Sequence, residues 1–276
     1  MASVLSSAPA RLPEPDAVAA ETWDKVAGAP RPSWYLDPLV AAQKRSVHLE
    51  LIGRWLDHVP TLLLKTDLFE EANGSDRILF DLRPQCGRAV ALDISPETIR
   101  RARANQPPGE DGFFLAADLR RIGLKSGSID CIISTSTLDH FAHETDFRRA
   151  LAELVRILRP GGQLIVTVDN PVNPLYWPLR WLCRLRGAPF PLGYTPTLRG
   201  LIQRLQDAGL EVSDTACLIH NPRVLSTALF LTLRRLFGEH ANGLIQLLLR
   251  LFASLGRLPT RQFTACFVGA CARKPL

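Results

Sequence analysis

Thr61-Leu62-Leu63-Leu64-Lys65-Thr66-Asp67-Leu68-Phe69-Glu70-Glu71-Ala72-Asn73-Gly74 and the later Arg88-Ala89-Val90-Ala91-Leu92-Asp93 set the architecture of this chain. The first apolar run ends in an acidic loop. A short amphipathic segment follows, with Ile78, Leu79 and Leu82 on one face, and the second apolar run ends in an aspartate. Strand, loop, helix, strand, carboxylate is the first half of a nucleotide-binding α/β sheet. Ligands of open parallel sheets sit beyond the carboxyl ends of the strands, where Asp67 and Asp93 fall. A carboxylate at the second tip can accept both hydroxyls of a ribose. Asp93 follows Asp67 by 26 positions, close to the roughly 20 expected for that role.

The alternation continues downstream. Ser95-Pro96-Glu97 opens a helix: Ser95 is a good N-cap, Pro96 suits the first helical position and Glu97 the positive end. Phe113 to Asp118 reads as a short strand ending in a third carboxylate, and Ile129 to Ser134 as a buried strand followed by the polar loop Thr135 to His140. Thr145 or Asp146 is expected to cap a helix carrying Phe147, Leu151, Leu154, Val155 and Leu158, which Pro160-Gly161-Gly162 stops before the strand Gln163 to Asp169. Strands alternating with helices of this length imply parallel pairing and right-handed crossovers. The expected fold is α/β: a Rossmann-like, doubly wound, mostly parallel seven-stranded sheet with an antiparallel last strand, Gln262 to Cys271.

The flanks depart from this rhythm. Residues 1–60 read as an N-terminal helical arm, loose at least to Glu21, with a leading helix from Pro38 to Pro60 that shows Val47, Leu51 and Trp55 on one side. Trp23, Trp34 and Tyr35 break the Ala/Pro/Ser composition, either packing back over a pocket or anchoring the arm. Asn170 to Gly193, rich in proline and tryptophan, reads as a long irregular lid or substrate loop. A catalytic domain is expected over 61–222 plus 257–276. Residues 223–256 form an inserted apolar helical pair, either a lid or a membrane-facing element.

Composition narrows the class. Of 276 residues, 46% are hydrophobic, enough for one large core, and the net charge is +6 with no Lys/Arg block. A nucleic-acid partner is not needed to explain that charge. The six cysteines form no C-x-x-C pair and no metal spacing, so buried reduced thiols and no metal site are expected. A secretory leader is absent by pattern, and no apolar run reaches the roughly 18 residues of a spanning helix. A cytoplasmic, or membrane-peripheral, setting follows. The oligomeric state is not readable.

Four segments, in order, resemble the class I S-adenosylmethionine-dependent methyltransferases: Leu92 to Glu97, Ala116-Ala117-Asp118-Leu119, Gly127 to Ser134 with Leu138-Asp139-His140, and Glu153 to Gly162. The resemblance implies that Asp93 and Ile94 meet the cofactor ribose and that Asp118 and Leu119 meet the adenine, with Ser134 at the fourth strand. The family's first loop usually reads Gly-x-Gly-x-Gly so that backbone can approach the cofactor; here only Gly74 remains. Asp67 or Glu70 would face the cationic methionine end, and Phe69 would line it. An acidic loop repels phosphate but tolerates sulfonium and ammonium, which favours S-adenosylmethionine over a dinucleotide.

The implied activity is in-line methyl transfer to a small-molecule or lipid-like acceptor. A base is needed only if the acceptor loses a proton, and His140, His143, Tyr194 and His220 are the candidates; His140 is best placed, just beyond the fourth strand, though a histidine there more often satisfies loop carbonyls. Two other readings stay open: a degenerate methyltransferase fold acting as a binding module, and a peripheral membrane protein in contact through 223–256.

Overall fold

A computed structural model of the chain describes residues 17–29, 37–73, 77–108, 112–183 and 192–276. Gly74, Trp34 and Tyr35 lie outside them. In chain order the main elements are α1 (Ala17–Gly28), α2 (Pro38–Trp55), β1 (Leu62–Thr66), α3 (Phe69–Asn73), α4 (Ile78–Leu82), β2 (Arg88–Asp93), α5 (Pro96–Ala104), β3 (Phe113–Ala116) and β4 (Ile129–Thr135). There follow α6 (Glu144–Ile157), β5 (Leu158–Asp169), α7 (Tyr176–Cys183), α8 (Leu198–Asp207), β6 (Glu211–Leu218), α9 (Arg223–Phe237), α10 (Asn242–Ser254), α11 (Arg261–Thr264) and β7 (Phe267–Arg273).

The seven strands form one sheet in the order β3-β2-β1-β4-β5-β7-β6. The pairs from β3 to β5 are parallel, and β7 runs antiparallel between β5 and β6. The two-residue side-chain period splits the core into two layers. Leu62, Leu64, Val90, Leu92 and Ile132 face one side with α6 and α8. Leu63, Ala89, Ala91, Cys131 and Ile133 face the other with α2, α4 and α5. The central strands β1, β2 and β4 are therefore buried along nearly their whole length, as a sheet covered on both faces requires, whereas the edge strand β6 is largely exposed or half-buried.

Several local expectations differ from the observed structure. The last strand begins at Phe267 rather than Gln262, because Gln262 to Thr264 belong to α11. The arm is helical from Ala17, because α1 has a tertiary partner: Asp24 accepts the Ser95 hydroxyl at 2.5 Å and the Glu97 amide at 3.1 Å, where α5 begins. The cap of α6 is His143 rather than Thr145 or Asp146. Pro160-Gly161-Gly162 does not follow the helix as a turn but lies inside β5. There Gly161, at φ 73°, donates to the Lys274 carbonyl and Gly162 accepts the Lys274 amide. The tail after β7 thus recruits this segment into the sheet.

The Asn170 to Gly193 segment contains α7. The inserted helices α9 and α10 are joined by a turn at Gly238 (φ 55°) and bury Phe230, Leu233, Ile245 and Leu249 against Leu39 and Val40 of α2. No helix among the described residues is long and apolar enough to cross a membrane.

Candidate functional site

Parallel strands deliver their carboxyl ends to one edge, and a cleft of about 250 Å³ opens there. Asp67 after β1, Asp93 ending β2 and Asp118 beyond β3 all line it. Leu92, Ile94, Ala117 and Leu119 give it apolar walls, and Phe69, Thr137, His140 and Phe141 stand around it. Trp23 of α1 covers one side, its ring T-stacked on His140 at 5.0 Å between centroids.

Asp93 is buried and serves both sheet and cleft. Its Oδ2 accepts the Leu68 amide at 2.8 Å and its Oδ1 the Ser95 amide at 2.9 Å. Each oxygen keeps a second lone pair. Burial, and next the Asp67 carboxylate, push Asp93 up to about 7 against the two amides.

The loop after β1 is built without nearby glycine. Asp67 itself sits at φ 62°, a left-handed conformation that glycine adopts freely and aspartate tolerates. Its Oδ1 accepts the Phe69 amide at 2.8 Å and holds the turn. Beneath it Lys65, inside β1, bonds the Asp67 carbonyl and pairs with buried Glu71 at 3.1 Å. Glu71 Oε1 also accepts the Leu79 amide at 2.9 Å. A charged pair under an apolar strand thus fixes the carbonyl of the left-handed residue.

Asp118 is held differently. Arg120 grips it through Nε at 3.0 and 3.1 Å and Nη2 at 2.6 Å, and also bonds Asp146 at 3.3 Å. The guanidinium lies 5.7 Å from the Phe141 ring centroid, so the third acid reaches the cleft as part of an ion-paired wall.

Five of the sequence-derived candidates do not line the cleft. His143 is the N-cap residue of α6. Glu70 turns to Lys44 of α2 at 3.1 Å. Ser134 lies beneath the loop, bonded to the Thr66 hydroxyl at 3.0 Å. Tyr194 packs edge-on to Phe147 at 5.7 Å with Arg204 over its ring, in the core layer of α6 and α8. His220 bonds Thr264 at 2.8 Å at the foot of the inserted helices. Among the base candidates, His140 alone lines the cleft. Gly74 lies outside the described residues. Sequence reasoning passed over Lys65, whose signal was a lone charge in an apolar strand. It also passed over Arg120, Phe141 and Asp146, which only spatial proximity assembles.

Behind the His140 loop lies a second polar group. Asp139 is buried, accepts the Asp169 amide on Oδ2 at 2.7 Å, and has no partner for Oδ1 among the described residues. Burial and the Asp169 charge push it up to about 6. Asp169 in turn pairs with Arg223, the first residue of α9. No group of three potential metal ligands occurs among the described residues.

Residues 70–166 match the family described as a methyltransferase domain. The chain is 28% identical over 152 residues to 2-methyl-6-phytyl-1,4-hydroquinone methyltransferase of Synechocystis sp., covering 53% of this chain and 46% of that protein. It is 33% identical over 141 residues to phthiotriol/phenolphthiotriol dimycocerosates methyltransferase 1 of Mycobacterium ulcerans, covering 49% and 44%. The chain therefore spans about half the length of these curated relatives. Among solved structures, the N-methyltransferase NodS from Bradyrhizobium japonicum WM9 in complex with S-adenosyl-L-homocysteine superposes with a TM-score of 0.57 over 93% of this chain and 98% of that one, at 14% identity.

Proposed function

We propose the following activity for this chain, which belongs to the class I S-adenosylmethionine-dependent methyltransferases: methyl transfer from S-adenosylmethionine to a small, lipid-like acceptor. One observation carries it, the meeting of Asp67, Asp93 and Asp118 on a single cleft with apolar walls.

The donor and acceptor sets fit the cofactor. A ribose offers two hydroxyl donors, and Asp93 offers two oxygens with lone pairs to spare. A methionine end offers an ammonium, and Asp67 a carboxylate at the same mouth. Leu92, Ile94 and Leu119 suit an apolar base plane. The left-handed backbone at Asp67 supplies the turn that the missing glycines would otherwise make. When bound, the cofactor supplies an electrophilic methyl group on a sulfonium.

The chain's own part is alignment, dryness and proton acceptance. Holding two reactants in line is worth roughly 7–11 kcal/mol. Trp23 and Phe141 on the cleft walls would exclude water, and His140, which also lines the cleft, would take a proton from an acceptor hydroxyl. The lipid-like class is supported by the names of the hydroquinone and phthiotriol relatives. Cys86, Cys131, Cys217, Cys266 and Cys271 are free thiols, in keeping with a reducing, cytoplasmic setting.

Calorimetry with S-adenosylmethionine and S-adenosylhomocysteine tests the first half. Methyl transfer from labelled donor to phenolic and hydroquinone lipids tests the second. Saturable binding of both ligands and labelled lipid are expected. No heat at millimolar ligand would instead favour a fold retained as a binding module.

A further inference from the structure

Of the exposed large apolar side chains, most lie in one part of the molecule. Val224, Leu225, Leu229, Leu231, Leu236 and Phe237 belong to α9, Leu244, Leu247 and Leu251 to α10, and Leu258 and Phe263 to the segment after it. The inner stripes of these helices (Phe230, Leu233, Ile245, Leu249) are already buried on α2. The outward residues therefore form a second apolar face that is exposed and packed against none of the buried clusters among the described residues. A face of this extent marks a docking surface rather than scattered exposure.

Charge says what docks there. Arg235 follows Val224 and Leu231 on the outward side of α9 at helical spacing, and Arg250 lies beside Leu247 and Leu251 on α10. Arg257 and Arg261 continue the series before β7. All four are exposed, and none has an ion-pair partner among the described residues. From 223 to 263 the sequence holds one acid, Glu239. That acid reaches Arg234, which also pairs with Asp37. An apolar stripe with arginines and no free acid suits a surface that is greasy within and negative at its edge. A second copy of the same face would bring eight arginines together with nothing to neutralise them.

A neighbouring element repeats the pattern. Trp177 and Trp181 of α7 are 59% and 63% exposed, and Arg180 lies 6.0 Å from the Trp177 ring centroid. Tryptophan with an apolar body and a polar edge favours the headgroup level of a bilayer. Tyr176 at the start of α7 and Arg223 at the start of α9 line one small cavity, so the two elements are adjacent.

We propose that α7, α9 and α10 form a docking face for an anionic lipid bilayer, with the outward leucines entering the acyl boundary and Arg235, Arg250, Arg257 and Arg261 meeting the headgroups. The face is joined to the cleft by buried contacts. Arg223 holds Asp169, Asp169 is held by Asp139, and the Asp139 carbonyl accepts the Gly193 amide. Gly193 is also bonded by Arg180. Asp139 precedes His140 on the cleft wall, so the bilayer face and the cleft are joined through one hydrogen-bonded loop.

Flotation of the full chain with phosphatidylglycerol-rich vesicles and with pure phosphatidylcholine vesicles tests this without reference to activity. Flotation is expected with the anionic vesicles and not with the neutral ones, and it should weaken in high salt. Each arginine replaced by glutamine should lower partitioning roughly fivefold, so R235Q/R250Q should lower it about twenty-fivefold. Because both side chains are exposed, that variant should melt like the parent. L247D, on the outward stripe of α10, should also abolish flotation while keeping the parent's circular dichroism. Equal binding to neutral and anionic vesicles would overturn the proposal. So would no flotation in either, or a stable dimer by light scattering that L247D dissociates.

Discussion

The Leu68 amide donates to Asp93 Oδ2 at 2.8 Å, so the tip of β2 holds the loop that leaves β1. One carboxylate thereby shapes the cleft and faces it. A side chain with two tasks gives a separable pattern on substitution.

Asp93→Ala should lose both amide partners and cost about 1–3 kcal/mol of stability, since each buried donor is left unpaired. Cofactor affinity should fall at least tenfold. Asp93→Asn keeps one acceptor oxygen, so it should recover part of the stability and little of the affinity. Urea titration reads the first effect and calorimetry the second. Parent-like affinity in both variants would remove Asp93 from the ribose role.

The elevated Asp93 carboxyl predicts a pH dependence of known sign. Its folded value, about 7, lies above the roughly 3.9 of an unfolded aspartate. Its contribution to stability is complete below pH 4 and is lost as pH rises through 7. The slope over that window is at most about 1.4 kcal/mol per pH unit for one proton. A diol that donates to the ionised carboxylate should release this proton, so cofactor affinity should rise between pH 6 and 8. Binding enthalpy measured in buffers of different ionisation heat would reveal the proton, and Asp93→Asn should abolish the dependence.

Asp67 carries both a conformation and a charge. Asp67→Gly relieves the left-handed backbone but loses the bond to the Phe69 amide, so it should fold about as stably as the parent, whereas Asp67→Ala loses the bond without relief and should cost about 1–2 kcal/mol. Both remove the charge beside Asp93, so both should move the pH midpoint of cofactor binding downward. Denaturant melts and the affinity profile separate the two effects.

The Trp23–His140 ring contact should act on residence rather than on folding. Aromatic pairs of this kind are worth about 0.5–1.5 kcal/mol. Trp23→Ala should change global stability by no more than that while speeding cofactor release several-fold, as stopped-flow displacement would show. An unchanged off-rate would mean that α1 does not close the cleft.

The Lys65–Glu71 pair tests how the loop is held up. Removing one partner of a buried pair costs about 3–5 kcal/mol, so Lys65→Met should be severely destabilising. The double variant K65M/E71Q removes the orphaned charge and keeps an acceptor for the Leu79 amide. It should regain most of that loss in urea unfolding.

How much was legible follows from the range of each interaction. Strand positions and the three acids at their ends were readable because side-chain period and strand termini are local properties of the chain. The start of α1 was not, because it depends on Asp24 reaching Ser95, 71 positions away. Tyr194 and His220 carry chemistry that suits a base, yet one packs on Phe147 and the other at Thr264; in the sequence only the place of His140 just beyond the fourth strand sets it apart.

The linear order of residues determined the alternating strands and helices, the acids at three strand tips and the apolar character of the inserted pair. Tertiary structure alone decided that these acids share a cleft, that Trp23 covers it, and which side of α9 and α10 remains outside. The physical reason is that a parallel sheet collects distant strand ends at one edge, and a helix with two apolar stripes can bury only one of them against its neighbour.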